Sequence, residues 1–471
     1  MSSPFDEEKY KRLLEGLEIS EVMLSDVLNG VETFRLDAEY HAKEYERIEN
    51  FVKNNPERFS KFSNWNVGID CSAFYPGVEP LYGTGDIPLI RVQNVKEEIE
   101  YDNCVTLPIL SSDYDTLKCV NPGDIVITKG GSIGFVGYVT KRAYASRDLM
   151  FINSSQLEER ERIFLYLYLS TDFSFKQLIR SSSQCAQPHL TITLVKNFDI
   201  FLPNESLKDK CLFLYQEYAD KHIKSKRLYS EAEEMLLEEL GLKNWQPNNK
   251  SVNIKQLKES YLASGRLDAE YYQSKYDELF SKLSKFKCDT IKHIANTKKS
   301  VEPGSEAYQN SGIPFVRVSD VSKFGISEPN VFLSPNDFSL KELQPKKDTI
   351  LLSKDGSVGI AYKVEEDMNC ITSGALLHLS VFNQDYTPDY LTLVLNSIVV
   401  QMQADRDSNG AIIQHWKPSE IEQVIIPKLP KPIQETISAK IQESFALKVE
   451  SKRLLDEAKM MVEREIEKGG V

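Results

Sequence analysis

The sequence lacks the signatures of several protein classes. Its seven cysteines include no C-x-x-C pair, which predicts reduced thiols and argues against a disulfide framework or a zinc site. The longest strongly apolar run, residues 163–169, is too short to cross a bilayer. The N-terminus is acidic and does not resemble a signal peptide. These absences predict a cytoplasmic protein without a membrane segment.

Catalytic motifs are also missing. The chain has no Walker A motif and neither the Asn-Pro-Pro-Tyr nor the Asp-Pro-Pro-Tyr motif with which adenine methyltransferases hold their target amino group. It has no obvious nuclease pattern of paired carboxylates and a lysine. The six histidines form no H-E-x-x-H motif and no Cys/His cluster. The sequence therefore predicts a chain that recognises a partner and has no catalytic or metal centre of its own.

Positive charge is in deficit, because 57 lysines and arginines face 70 aspartates and glutamates, for a net charge of −13. Taken alone, this balance argues against nucleic-acid binding, since phosphate contacts need Lys and Arg. Net charge does not describe its distribution, however. Acidic helices could face protein partners while basic loops face DNA.

What the chain does have is an internal repeat. Four landmarks recur in the same order, 225 to 231 residues apart: 35–40 as 266–271, 82–95 as 308–321, 129–134 as 354–359, and 225–228 as 451–454. The period is too long for a solenoid, whose units run roughly 20–50 residues. We interpret it as a tandem duplication that gives two whole domains in a pseudo-two-fold relation.

Each half is predicted to be a strand-rich globule followed by a long helix. Short β-branched runs bounded by Gly, Asp and Pro predict strands over 87–95, 124–128, 135–139, 198–203 and 424–427. Shorter helices are predicted over 163–179 and 390–402, although the polar residues 170–172 could interrupt the first.

Two long helices are predicted from apolar residues that recur at three- and four-residue spacing over 212–240 and 433–462. Each would be about 35 residues and about 50 Å long, with one apolar stripe that must be buried. The predicted partner of each helix is the other one, in an antiparallel coiled coil; alternatively, each helix packs only on its own globule. The predicted fold class is α+β, with two strand-rich domains in pseudo-two-fold tandem separated by this helix pair.

The repeat also predicts the domain boundaries. Residues 10–17 precede the 35–40 landmark much as residues 236–242 precede its copy, so the chain resembles a circular arrangement cut open, with its termini close together. The predicted segments are an N-terminal helical segment that completes the second helical region (1–58), the first globule (59–203), the central long helix and linker (204–262), a lead-in segment with the second globule (263–430), and the C-terminal long helix (431–471).

The glycine turn after the second predicted strand is the first candidate site, with Lys129 and Ser132 repeated as Lys354 and Ser357. It is not a P-loop, because no Lys follows the last Gly and a strand follows in place of a helix. Either the turn is purely structural, or its backbone N–H groups, Lys and Ser meet DNA phosphates or bases.

Polar loops before the last strand of each globule are the second candidate. Gln187 and His189 stand in the first loop, and Gln414 and His415 in the second. Gln can bond an adenine edge and His can donate to guanine or phosphate; a loop-stabilising role is the alternative.

Repeated arginines have structural interpretations. Arg91 and Arg317 lie in predicted strands, where a buried ion pair is the favoured reading. The pairs Arg35/Asp37 and Arg266/Asp268 are expected to anchor a helix start.

Taken together, the repeated Ile-Pro-(Leu/Phe)-(Ile/Val)-Arg-Val and Lys-x-Gly-Ser-(Ile/Val)-Gly segments, each followed by a strand ending in Pro and a long helix, resemble the specificity subunit of type I restriction–modification systems. The resemblance implies two target recognition domains that each read half of a split site in double-stranded DNA, with the helices as a spacer. It implies that the chain itself is non-catalytic and carries no cofactor. Two modification subunits on the helices would bring S-adenosylmethionine-dependent adenine methylation, and restriction subunits would bring ATP- and Mg-dependent translocation and cleavage.

Other readings stay open. The chain could be the specificity subunit of a related methylation system or of a combined restriction–methylation system. It could also be a coiled-coil scaffold that binds only protein, or an enzyme with an unrecognised centre. The resemblance supplies no base-reading motif, so the eight candidate DNA-binding residues rest on the sequence alone.

Overall fold

A computed structural model describes residues 7–14, 21–29, 35–96, 98–182, 189–248, 250, 252–408 and 414–468. The chain forms two compact units, which are described one at a time. Unit 1 comprises Met1–Asp220 with Ser451–Val471, and unit 2 comprises Lys221–Glu450. Both long helices therefore contribute residues to both units. The boundaries of the five predicted segments stay predictions.

Unit 1 contains a strand-rich globule with helices packed against its strands. Its strands are β1 (Phe59–Lys61), β2 (Gly68–Cys71), β3 (Ile87–Ile90), β4 (Val105–Leu107), β5 (Cys119–Val120), β6 (Ile125–Thr128), β7 (Val136–Tyr138), β8 (Ala143–Ala145), β9 (Leu149–Asn153) and β10 (Asp199–Phe201). Its helices are α1 (Glu7–Leu14), α2 (Leu24–Asn29), α3 (Lys43–Asn54), α4 (Glu159–Leu169), α5 (Asp172–Ser181), α6 (Ile192–Lys196) and the beginning of α7 (Glu205–Glu239).

Unit 2 repeats this plan. Its helices are α8 (Tyr261–Ser264), α9 (Ser274–Leu283), α10 (Leu340–Leu343), α11 (Pro388–Asn396), α12 (Ile398–Asp407), α13 (Pro418–Ile421) and the beginning of α14 (Lys431–Glu467). Its strands are β11 (Cys288–Thr290), β12 (Ala295–Lys299), β13 (Ile313–Val316), β14 (Val321–Ser322), β15 (Gly325–Ile326), β16 (Phe332–Leu333), β17 (Ile350–Ser353), β18 (Ala361–Lys363), β19 (Ile371–Thr372), β20 (Leu376–Val381) and β21 (Ile425–Pro427).

Most strands of the two units correspond. The four-stranded sheet β2-β9-β6-β7 of unit 1 matches β12-β20-β17-β18 of unit 2, and β1-β10 matches β11-β21. The parallel pair β3/β8 matches the parallel pair β13/β19. Unit 1 adds β5 to the latter sheet, whereas unit 2 has the hairpin β14/β15. The sequence repeat is therefore a repeat of topology.

Each of the two shorter predicted helices is a pair of helices: the possible interruption at 170–172 is confirmed, and the single helix predicted over 390–402 is wrong. Thr171 begins α5 as an N-cap whose side chain accepts from the backbone N–H of Ser174 at 3.2 Å. Ser397 caps α12 in the same way, through the N–H of Val399 at 3.3 Å. A capping hydroxyl satisfies a donor that a continuous helix would bond internally, so it marks a new helix start.

The predicted strand 87–95 is also too long, because β3 ends at Ile90. A short 3-10 turn, Val92–Asn94, follows it, and Asn94 Oδ1 accepts from the backbone N–H of Arg91 at 3.0 Å. Asp320 makes the same contact with the N–H of Arg317 at 2.8 Å. Both arginines therefore lie just outside their strands.

The predicted pairing of the long helices is confirmed, and it is antiparallel. In unit 2, Ser225 Oγ and Ser444 Oγ each donate to the other residue's carbonyl at 2.7 Å. Lys224 pairs with Glu443 at 2.7 Å and Glu231 with Lys440 at 2.6 Å. Residue numbers thus rise along α7 as they fall along α14. The small buried serines let the helix backbones approach closely where larger side chains would hold them apart.

In unit 1 the same two helices share the hydrophobic core of the globule. Leu212 and Tyr215 of α7 pack in one cluster with Leu454, Leu455 and Ala458 of α14. The buried side chains of α4 belong to the same cluster. The apolar stripes of α7 and α14 are therefore buried both against each other and against the globule.

Candidate nucleic-acid interface

The glycine turn of unit 1 is closed by Thr128 at the end of β6. The Thr128 carbonyl accepts from the N–H of Gly134, and its hydroxyl accepts from the N–H of Phe135, both at 2.9 Å. Ser353 at the end of β17 closes the turn of unit 2 with the same two bonds. A hydroxyl residue before the repeated lysine thus gives both turns one geometry.

The first turn lies against the loop that carries His189. Gly130 and His189 form an isolated antiparallel bridge, and the backbone N–H of Leu190 donates to the carbonyl of Lys129 at 3.0 Å. The structure therefore brings together Lys129, Ser132 and His189, which the sequence placed in two separate motifs. Gln187 lies outside the described residues.

The second turn meets its loop in the same way. Asp355 and His415 form the bridge, and the N–H of Trp416 donates to the carbonyl of Lys354 at 2.8 Å. The N–H of Gly356 donates to the carbonyl of Gln414 at 3.0 Å. The two segments that carry the four residues predicted in this half therefore meet, and Ser357, Gln414 and His415 are exposed there.

The two lysines differ in their surroundings. Lys129 is half-buried, and the structure gives it no ion pair with any residue it describes. Lys354 has a side chain only 7% exposed and pairs with Asp355, whose other oxygen lies 2.8 Å from Nδ1 of His415. The first turn therefore presents a cation to solvent, whereas the second has neutralised its cation internally.

A cleft of about 790 Å³ adjoins the first turn. Ser132 and Phe135 line one side, and Tyr82, Arg91 and Arg147 line others. Sequence reasoning did not find Arg147. Its only signal in the sequence was a difference between the two repeats. Arg147 lies between β8 and β9, and Gly374 occupies the corresponding position between β19 and β20.

The predicted buried ion pair of the repeated arginines is wrong in unit 1 and partly right in unit 2. Arg317 lies 3.6 Å from Asp320 and donates to Asn330 Oδ1 at 2.8 Å. In unit 1 the corresponding acid is replaced by Asn94, and the buried Nε of Arg91 has no hydrogen-bond partner among the described residues. An amide can cap the turn but cannot neutralise a guanidinium.

The other repeated arginines are structural, as predicted, although they hold helix ends. Arg35 binds both oxygens of Asp37 at 2.6 Å and donates to the carbonyl of Ser182 at 2.5 Å, just after α5. Arg266 does the same with Asp268 and the carbonyl of Asp407, the last residue of α12. A cation here complements the negative end of each helix. The Arg35 hydrogen bond lowers the pKa of Asp37 below its usual range.

Comparison with known proteins bears on this surface. Residues 74–228, which include the turn, its loop and the cleft, match the family model of the type I restriction modification DNA specificity domain. Over these residues the chain is similar to that domain. The match confirms the resemblance seen in the repeated motifs, and DNA sequence recognition is the function that it supports.

Solved structures of specificity subunits are similar over most of the chain. The S subunit of a type I system from M. genitalium is 14% identical, with 87% of this chain and 95% of that chain covered and a TM-score of 0.39. The HsdS subunit from Thermoanaerobacter tengcongensis is 14% identical, with 88% and 96% covered and a TM-score of 0.28. A structure from work on assembly and conformational transition of the type I R-M system is 16% identical, with 88% and 97% covered and a TM-score of 0.29.

At these identities and TM-scores the superpositions show similarity only. The comparison with curated protein sequences returned no match. In the part of the chain that the structure describes, no helix is both long and apolar enough to cross a membrane.

Proposed function

We propose that this chain is the DNA-reading subunit of a type I restriction–modification complex and that each globule reads one half of a bipartite site. The supporting observation is that the arrangement of the specificity-domain turn in unit 1 recurs in unit 2, beyond the residues that the family model matches. In both units the turn after the lysine is bridged to a histidine of the loop that precedes the globule's last strand. The DNA-contacting residues of this proposal are Lys129, Ser132, Gln187 and His189 in the first globule and Lys354, Ser357, Gln414 and His415 in the second.

The long helices are the proposed binding site of two modification subunits. They display large apolar side chains to solvent: Phe213 is 62% exposed, Ile223 64% and Val449 71%. Side chains of this kind on an otherwise charged helix mark protein interaction sites when they cluster. In this proposal the chain is non-catalytic and cytoplasmic. S-adenosylmethionine is bound by the modification subunits, and ATP and Mg are used by the restriction subunits.

A globule exchange tests the two-reader proposal. Residues 59–203 are replaced by the first globule of another specificity subunit, and the methylated sequence is determined by methylome sequencing of cells that carry the complex. One half-site should change while the other stays the same. A change in both halves, or in neither, would contradict independent reading.

A matched insertion tests the proposed spacer role. Four residues, about one helical turn, are inserted into α7 near residue 220 and into α14 near residue 450, so that the antiparallel register is kept. One turn adds about 6 Å along the axis, so the gap between half-sites should lengthen by one to two base pairs at roughly 3.4 Å per pair. Methylation at the original gap would show that the helices do not set it.

The scaffold alternative makes a different prediction. A chain that binds only protein would assemble with the modification subunit, but the assembly would show no sequence preference on DNA. Binding selection from randomised duplexes, run on the assembled complex, separates the two functions.

A further inference from the structure

The link between β8 and β9 in unit 1 is a tight turn that presents an arginine. Leu149 donates its N–H to the carbonyl of Ser146 at 3.0 Å, and Ser146 donates its own N–H to the carbonyl of Ile90 at 2.9 Å. Arg147 and Asp148 occupy the two central positions. Hydrogen bonds therefore hold the turn in place. Arg147 is exposed at its tip and lines the cleft.

The fold holds Arg147 through its backbone, which hydrogen-bonds the hydroxyl of Tyr75, and not through its guanidinium. Its side chain makes no ion pair and no hydrogen bond with any residue that the structure describes. It shares the cleft with Gln93 and Ser132, and with the exposed aromatic side chains of Phe74 and Phe135. An unpaired guanidinium beside polar and aromatic groups is the chemistry that recognises nucleobases.

The turn that carries Arg147 is hydrogen-bonded to the turn that carries Lys129. The backbone N–H of Lys129 donates to the carbonyl of Asp148 at 2.9 Å. A phosphate held by Lys129 would therefore fix the position of the duplex relative to Arg147, since phosphate contacts set register while base contacts set sequence.

Unit 2 builds the same turn without the arginine. Leu376 donates its N–H to the carbonyl of Ser373 at 3.0 Å, and Ser373 donates to the carbonyl of Val316 at 2.8 Å. The central positions are Gly374 and Ala375. A Cβ added to Gly374 would lie 2.3 Å from Cγ of Glu302, so Glu302 covers the place that a side chain here would occupy.

We propose that Arg147 is a specificity-determining residue of the first globule, reading a guanine through paired hydrogen bonds from its guanidinium to O6 and N7. The second globule, with Gly374 at this position, reads its half-site without this contact. The assignment rests on the proposed function and adds a base and a residue to it. Arg suits the role because its planar fork matches the two acceptors of guanine in the major groove.

The test compares the wild-type chain with Arg147→Ala and Arg147→Lys, each assembled with its modification subunit, by binding selection from randomised duplexes. In both variants the preference for one guanine in one half-site should fall by about 5- to 150-fold, which corresponds to about 1–3 kcal/mol. The other half-site and the affinity for non-specific DNA should stay close to wild type. Arg142→Ala is the matched control, an exposed arginine of the same globule outside the cleft, and should change neither half-site.

Three results would overturn the assignment. The first is an unchanged sequence preference in Arg147→Ala. The second is equal weakening on all sequences with a flatter salt dependence, which would make Arg147 a phosphate contact. The third is a lowered unfolding temperature, which would make it structural. If the wild-type complex itself showed no sequence preference, the proposed function would fall, and this assignment with it.

Discussion

The two units place different chemistry at the same interior position. Tyr138 of β7 pairs with Ile125 in unit 1, and Lys363 of β18 pairs with Ile350 in unit 2, in corresponding registers. Tyr138 packs against the rings of Tyr166 and Tyr215, with centroids 5.5 and 5.4 Å away.

Lys363 instead forms a buried ion pair with Asp389 at 2.8 Å, in side chains 7% and 5% exposed. Burial alone would lower the pKa of Lys363, but the hydrogen bond and the attraction of Asp389 outweigh it and raise that pKa. The backbone plan is thus repeated, while the aromatic side chain at this position in one unit is replaced by a charged side chain in the other.

The largest expected effect comes from breaking the ion pair. Lys363→Met leaves Asp389 buried with Gln442, which donates to it at 2.7 Å, and should destabilise unit 2 by about 3–5 kcal/mol. Denaturant unfolding followed by amide hydrogen exchange would assign the loss to unit 2. The matched control is the double variant Lys363→Met with Asp389→Leu, which should recover part of the stability because Asp389 no longer remains buried and unpaired, while the half-buried Glu365 still loses its partner at 3.1 Å. Equal losses in both variants would mean that shape, not charge, matters at this position.

Lowering the pH should destabilise unit 2 through His378, a residue that unit 1 replaces with Phe151. This residue of β20 pairs with Leu351 as Phe151 of β9 pairs with Val126. Burial, and secondarily the charge of Lys298, lowers the pKa of His378 from 6.5 to about 4. The folded state therefore holds a neutral ring that the unfolded chain protonates. Stability should fall as the pH drops from about 6.5 to about 4, by about 2 kcal/mol at pH 5.

His378→Phe, which copies unit 1, is the control for this acid effect. Its unfolding free energy should change less between pH 7 and pH 5 than that of the wild type, by the same 2 kcal/mol, because the titrating ring is gone. Parallel curves for the two proteins would show that other groups cause the acid sensitivity.

The repeated turns should respond alike in both units. Gly134 and Gly359 have φ of +85° and +90°, and a Cβ would meet the ring of Phe175 at 3.0 Å or the amide of Gln401 at 2.8 Å. Either Gly→Ala change should cost about 1–2 kcal/mol from backbone strain alone, measured by denaturant unfolding. Gly131→Ala has the same strain at φ +77° but open space around it, so a larger loss at Gly134 would isolate the crowding.

The smallest expected effect is a difference between Lys129 and Lys354 in the salt dependence of DNA binding. Lys129→Ala should flatten the log–log salt dependence of DNA binding by about one unit, because it removes one phosphate contact. Lys354→Ala should flatten it less, since Asp355 already neutralises that side chain. Binding curves of the assembled complex at several salt concentrations decide this. Equal slopes for both variants would remove the contrast between the turns.

Much of the fold follows from local patterns. The repeat, the final strands and both long helices can be predicted because periodicity and turn residues act within a few positions of the chain. The polar run 170–172 signals the split at Thr171, but the split at Ser397 is harder to predict, because a hydroxyl becomes a cap only when the chain direction changes there. The end of β3 at Ile90 depends likewise on Asn94 folding back onto the backbone of Arg91.

By itself, the sequence determined that the chain is duplicated, that two long helices must bury one stripe each, and which lysines and histidines recur. Only the tertiary structure decided that turn and histidine loop meet, that Lys354 is neutralised while Lys129 is not, and that Arg147 stands at a cleft. The reason is physical. Local patterning sets secondary structure, whereas the contacts and exposure of a side chain also depend on segments far away along the chain, such as the loop that brings His415 beside Asp355.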